Sequence, residues 1–179
     1  MLPMNRRFNI AVNHIASILF PAGFDISPSA PSSINGLCES FTSGRLTVYD
    51  GASDKTIFAC TETNYNFRAW HDHCHVRPSR NKLGRYYPSL CYQFTESGES
   101  SVCLEQYKDI ESLYGNGRES SIFKRIIHAE IMGQWQYKES LGGFPIDQYG
   151  FVAMYLQDSL RAMNTNFGIS RPHTMESSS

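Results

Sequence analysis

No run of about 18 apolar residues occurs in this chain, so no membrane-spanning helix is expected. No Cys-x-x-Cys pair occurs either, and the five cysteines, Cys38, Cys60, Cys74, Cys91 and Cys103, are odd in number. The missing pairs exclude a zinc ribbon, and the odd count argues against a secreted disulfide framework, so a reducing, cytoplasmic setting is expected. Neither sign of charge is in excess. Sixteen basic and seventeen acidic residues leave a net charge of −1, so no global pull toward nucleic acid or membrane follows. A phosphate-binding glycine loop, a nucleophile elbow and internal repeats are absent from the sequence. The apolar stretch from Ile10 to Phe20 is split by Asn13 and His14 and closed by Pro21, which suits an amphipathic helix better than a signal-peptide core.

What is present belongs to a folded chain: 41% hydrophobic and 13% aromatic residues over 179 positions, enough for one ordinary domain with a buried core. Phe8, Val12, Ile15 and Leu19 recur at helical spacing, which predicts a helix over residues 5–20. Residues 27–33, rich in serine and proline, read as a loop. Residues 45–49 and 56–60 read as strands on either side of the Asp50-Gly51 turn signal, which predicts a hairpin with a longish loop. Residues 86–94 read as an edge or irregular strand, since Pro88 lacks a donor. The later half turns helical. One helix, with Val102, Tyr107 and Ile110, stops near Gly115-Asn116-Gly117, and a longer one spans about 119–139 before Gly142-Gly143. Pro145 suits the first position of a third helix. The expectation is an α+β fold, a small antiparallel sheet or hairpin with a mainly helical C-terminal half. Residues 1–163 form a single globular domain and 164–179 a disordered tail.

Site chemistry is concentrated in Trp70-His71-Asp72-His73-Cys74-His75. Histidine is the commonest metal ligand, and a metal needs several ligands converging on one point. On a helix, His71 and His75 share a face at i, i+4. On a strand, His71, His73 and His75 all point one way. Either conformation joins at least two imidazoles, so His71, His75 and His73 are the candidate ligands of a divalent ion, zinc, iron or manganese. Asp72 is a further ligand or orients an imidazole. The ordinary alternative is a solvated histidine-rich loop.

On the long helix, Glu130 and Gln134 share a face at i, i+4 in otherwise apolar surroundings, as a buried site would need. Gly133 between them costs about 1 kcal/mol against alanine, tolerable where something approaches the backbone closely. Glu130 is the candidate ligand or water-activating base. The alternative is a surface carboxylate. His128-Ala129-Glu130 matches the first half of the zinc nucleobase deaminase signature, but no cysteine follows Cys103 to complete it. A lone His71-Asp72 pair and an Asp72-His73-x-His75 run also echo HD-type phosphohydrolases and HNH-type nucleases, without the remaining ligands of either.

Arg77, Arg80, Lys82 and Arg85 follow the histidines, and no acidic residue lies between Asp72 and Glu96. With Tyr86, Tyr87 and Tyr92 beside them, these cations suit phosphate contact and base stacking. A phosphate-bearing small molecule or a nucleic acid is the expected partner, and an ordinary solvated loop is the alternative. The pattern Trp70-His71-Asp72-x-x-His75, with Ala129-Glu130-Ile131-x-Gly133-Gln134 and Phe144-Pro145-Ile146-Asp147-Gln148, resembles small uncharacterised bacteriophage proteins across residues 64–156. The resemblance implies a viral, host-cytoplasmic setting and a site of His71, Asp72, His75, Glu130, Gln134 and Gln148, with His73 incidental. It implies no activity. The residues point to a metal-dependent hydrolase acting on a phosphate-bearing or nucleotide substrate, with a non-enzymatic binding or regulatory protein as the rival reading.

Overall fold

The structure is a computed structural model that describes residues 4–51 and 55–170. It is mainly helical, with two small sheets. The described residues hold eight α-helices: α1 (Arg6–Leu19), α2 (Ile34–Thr42), α3 (Thr61–Val76), α4 (Glu96–Tyr114), α5 (Arg118–His128), α6 (Gln134–Leu141), α7 (Gln148–Tyr155) and α8 (Ser159–Met163). A wide π turn, Ala129–Gly133, joins α5 to α6.

The apolar stripe of α1 forms as its spacing predicts: Phe8, Ala11, Val12 and Ile15 are buried against α3, while Ile10 and Ile18 face outward. The main core gathers these with Phe67, Trp70 and Cys74 of α3, Val102 and Ile110 of α4, Phe123 and Ile127 of α5, and Phe151 of α7. A second cluster packs Ile34, Leu37 and Cys38 of α2, Val48, Cys91, and Ala69 and Val76 from another side of α3. Helix α3 is therefore apolar on two flanks, and the polar stripe between them carries the site.

The hairpin is not formed. Strand β2 (Thr47–Tyr49) pairs in parallel with β1 (Asp25–Ser27), with Ile26 opposite Val48. Residues 56–60 take an irregular path. Ile57 and Phe58 enter the core, while the Ala59 N–H donates to Asn9 Oδ1 of α1 at 2.7 Å. Residues 52–54 of the expected turn lie outside the described residues. Residues 86–94 form no strand, holding one 3-10 turn at Pro88–Leu90. The antiparallel sheet lies elsewhere, between β3 (Phe144–Pro145) and β4 (Ile169–Ser170).

That pairing corrects two further expectations. Pro145 is a strand residue, and α7 starts three positions later, where Asp147 caps it by accepting the Gly150 N–H at 3.0 Å. Residues 164–170 are ordered by β4 and by Tyr137, whose hydroxyl accepts the Phe167 N–H at 3.1 Å. The expected tail therefore begins too early, and residues 171–179 lie outside the description. The long helix near 119–139 exists but carries the π turn at its middle. Gly142 ends it at φ +82°, a left-handed conformation that only glycine adopts without strain.

Candidate metal centre

Four polar residues of α3, Arg68, His71, Asp72 and His75, follow one another at i, i+3, i+4 and i+7 and so form one stripe. Helix α4 crosses this stripe with its first turn. Thr95 caps α4 by accepting the Gly98 N–H at 3.2 Å, and the next residue, Glu99, points back at the histidines.

His71 Nε2 lies 3.1 Å from His75 Nε2 and 3.3 Å from Glu99 Oε2, and His75 Nε2 lies 3.5 Å from Glu99 Oε1. Donors held about 2.0–2.1 Å from a tetrahedral ion sit roughly 3.3–3.4 Å from one another. The two imidazole nitrogens approach that spacing, each touches a different Glu99 oxygen, and one donor atom from each residue lies within 4.8 Å of the others, so this trio could hold a metal ion. The His75 side chain is fully buried, Glu99 is 8% exposed and His71 21%, so His71 is the side open to solvent.

His75 is also oriented from behind. Its Nδ1 lies 2.9 Å from the Tyr92 carbonyl oxygen, which can only accept, so Nδ1 carries a proton and Nε2 faces the cluster. The Tyr92 N–H returns a 3.0 Å bond to the His75 carbonyl, and the Phe94 ring meets the imidazole edge-on at 4.8 Å. A ligand imidazole is commonly held this way, its second nitrogen bonded to a carbonyl.

The electrostatics fit a cation. Burial alone would raise the Glu99 pKa, but the charges and hydrogen bonds of His71 and His75 overcome it and hold the carboxyl at about 2. Burial disfavours a charged His71, yet Glu99, and secondarily Asp72, outweigh it and raise its pKa. The pocket thus attracts positive charge, whether a proton on His71 or a metal ion. Burial pushes Asp72 up, against the pull of His71, His75 and Arg68. Glu130 is pushed by burial to about 8, with Arg68 and Gln134 opposing only in part. Among the buried side-chain polar atoms without a hydrogen-bond partner are two from this region, His71 Nδ1 and Glu130 Oε1. Leaving such an atom dry costs about 1–3 kcal/mol, so bound water or a ligand is expected there.

The expected site residues separate into groups. His71 and His75 converge. Asp72 shares their stripe and their field without joining the trio. Glu130 reaches the same field through Arg68, and Gln134 Nε2 donates to Glu130 Oε2 at 2.6 Å, which positions that carboxyl. Gln148 opens α7 and is not part of the trio.

His73 is a correction. On a helix it falls away from the stripe, and its ring packs against Phe20 and Phe41 at 6.0 and 5.9 Å. Burial, with Arg77 adding to it, lowers its pKa to about 4, so it is a neutral packing residue. Arg77 is another correction. Its guanidinium spans Asp109 at 2.6 Å and Glu105 at 3.3 Å, tying α3 to α4, so it is occupied where a phosphate would need it. Arg80, Lys82 and Arg85 remain exposed on the following loop. Glu99 was not foreseen. It stands in Glu96-Ser97-Gly98-Glu99-Ser100, which reads as a solvated helix start, and only its position four residues after a Thr cap could have hinted at a fixed orientation.

No family model matches the chain, and no curated protein or solved structure matches it.

Proposed function

We infer that the chain is a metal-dependent protein in which His71, His75 and Glu99 hold a divalent cation, and that it acts as a hydrolase on a phosphate-bearing or nucleotide substrate. The observation that carries this reading is the convergence of two imidazoles and a carboxylate, in mutual contact at 3.1–3.5 Å, with His75 fixed from behind by Tyr92. Two nitrogens and one oxygen with a further position free are the donor set of a catalytic rather than a closed structural zinc site, and they also suit iron or manganese. A bound cation there would act as a Lewis acid on a phosphoryl or carbonyl oxygen.

The chain's own groups divide the remaining work. His71 sits on the solvent side and so faces an incoming substrate. Glu130, with its pKa near 8 and one free oxygen, holds a proton at neutrality and is suited to donate it to a leaving group. Gln134 fixes its orientation. Arg80, Lys82 and Arg85 supply the exposed cations that favour a phosphate-bearing substrate.

A second reading has its own support. His75 is fully enclosed and Glu99 nearly so, which suits a metal that braces α3 against α4 in a binding or regulatory protein without chemistry. The decisive measurement is metal content of untagged protein beside His71→Ala. Near-stoichiometric metal that disappears in the variant, with phosphatase or nucleotidase activity lost in parallel, supports the enzyme. Metal lost together with several degrees of Tm, and no turnover over a substrate panel, supports the bracing role. Metal-free protein after reconstitution with zinc, iron and manganese sinks both.

A further inference from the structure

Away from the histidines, two thiols face each other. Cys38 of α2 and Cys91, just after the Pro88–Leu90 turn, lie 53 positions apart in sequence, yet their Sγ atoms are 3.3 Å apart and both residues are buried. A disulfide closes that gap to about 2.0 Å, so little more than 1 Å of movement separates the thiol pair from the bond. Access exists from one side. A cavity of about 630 Å³, lined by Asn35, Cys38, Glu39, Thr42, Tyr86 and Pro88, opens Cys38 between α2 and the 86–88 segment. Leu90, beside Cys91, is 60% exposed.

The same segment reaches the metal centre. Cys91 precedes Tyr92, whose carbonyl accepts from His75 Nδ1 and whose N–H donates to the His75 carbonyl. Cys91 Sγ also donates to Ser79 Oγ at 3.2 Å, just past the end of α3. Whatever holds Cys91 in place therefore holds the group that aims His75.

We propose that Cys38 and Cys91 form a reversible disulfide that staples α2 to the 88–92 segment and firms the seat of His75. The reaction is thiol–disulfide exchange with a small-molecule disulfide such as oxidised glutathione. One protein sulfur takes a glutathione sulfur and expels the other as thiolate. The second protein sulfur then displaces the remaining glutathione. Two electrons pass from the two protein thiols to the reagent, and both protons end on the two released glutathione thiols. The exchange is slow, because burial, reinforced by the neighbouring Cys91, pushes the Cys38 thiol up to about 12. The exposed Cys60, made more acidic by the Thr63 hydroxyl, is the faster but unpaired competitor. Only the effect on metal affinity rests on the metal-centre reading. Bond formation does not.

The test equilibrates the full chain, with Cys60→Ser to remove the competitor, in a glutathione buffer poised oxidising or reducing, followed by acid quench, alkylation and peptide mapping. The expected result is a Cys38–Cys91 linked peptide under oxidising conditions that reductant reverses. The linked form should melt higher than its own reduced form by roughly 5–15 °C, a redox-dependent gain that Cys38→Ser abolishes whatever the substitution itself costs the buried cluster. Zinc affinity should rise a few fold on oxidation, since partners that orient a ligand are worth about 10–100-fold when removed outright. Glutathione adducts without the linked peptide would overturn the proposal, as would a linked form that melts no higher. Zinc binding that is equal in both redox states would remove the connection to His75 and leave the staple. Zinc binding absent in both states would count against the metal centre alone, and the linked peptide and Tm would still decide the staple.

Discussion

Glu99 and His73 show how little residue type says about role. Glu99 sits in a serine-rich helix start, yet it is nearly buried and closes the ligand trio. His73 sits inside a histidine run, yet its ring is packing material between Phe20 and Phe41. Substituting each should separate the two roles. Glu99→Gln keeps the shape but removes the anionic donor, and isothermal titration with zinc should show affinity weakened by at least about 100-fold. His73→Ala should bind zinc as wild type does while losing about 1–3 kcal/mol in denaturant unfolding, from the cavity left among the rings. Equal zinc affinity in Glu99→Gln, or lost zinc in His73→Ala, would reverse this assignment. His71 and His75 were legible because i, i+4 spacing works on any helix. Glu99 was not, because nothing local to residues 96–100 records which residues lie across from them.

The start of α4 is the element on which the centre depends. Gly98 precedes Glu99, and a Cβ built at Gly98 would overlap the Gln93 backbone carbonyl, which also accepts the Thr95 N–H at 2.8 Å. No flexible side-chain end can yield there, so the backbone must move. Gly98→Ala should therefore cost about 2–4 kcal/mol and shift Glu99 off the histidines, read as a lower Tm together with weaker zinc binding. A variant with unchanged Tm would show that the 93–98 turn adapts freely.

Helix α3 itself was expected as one of two conformations, and its two apolar flanks settled the matter by burying Phe67, Trp70 and Cys74 on one side and Ala69 and Val76 on the other. The hairpin failed for a related reason. Strand propensity at residues 45–49 was real, but the partner is chosen by tertiary packing: β2 pairs with β1 from residues 25–27, while Ile57 and Phe58 enter the core. The π turn at Ala129–Gly133 leaves no signal in hydrophobic periodicity, although Gly133 hinted at a close approach, and the Tyr155 ring supplies it.

At the scale of the whole molecule, partly and fully buried acids gather around Arg68 and the histidines. Asp72, Glu99 and Glu130 lie in one connected field with Arg68 among them, and burial raises the pKa of two of the three. The sign of the Glu130 contribution follows from its rise from an ordinary 4.5 to about 8. The folded chain holds this proton more tightly than the unfolded chain. Its contribution to stability is therefore complete below the ordinary value and is lost as pH climbs from there toward 8. Glu130→Gln in chelator should thus raise Tm by a few degrees near pH 9 and change it little near pH 4. A variant that melts lower than wild type near pH 9 would mean that the ionised carboxylate has a partner worth more than its burial costs.

Local patterning was enough to dictate α1, the helical C-terminal half, the helix stop at Gly142 and the pairing of His71 with His75, because each depends on residues within a few turns of one another. Composition likewise allowed the mainly helical α+β class to be anticipated, and no described helix is long and apolar enough to cross a membrane. Tertiary structure alone decided which strand β2 joined, where the antiparallel sheet formed, that His73 and Arg77 were committed to packing and ion pairs, and that Glu99 completed the trio. Those outcomes turn on contacts between segments 20 or more residues apart. Side-chain packing and burial select them, and neither is written in the order of residues along any one segment.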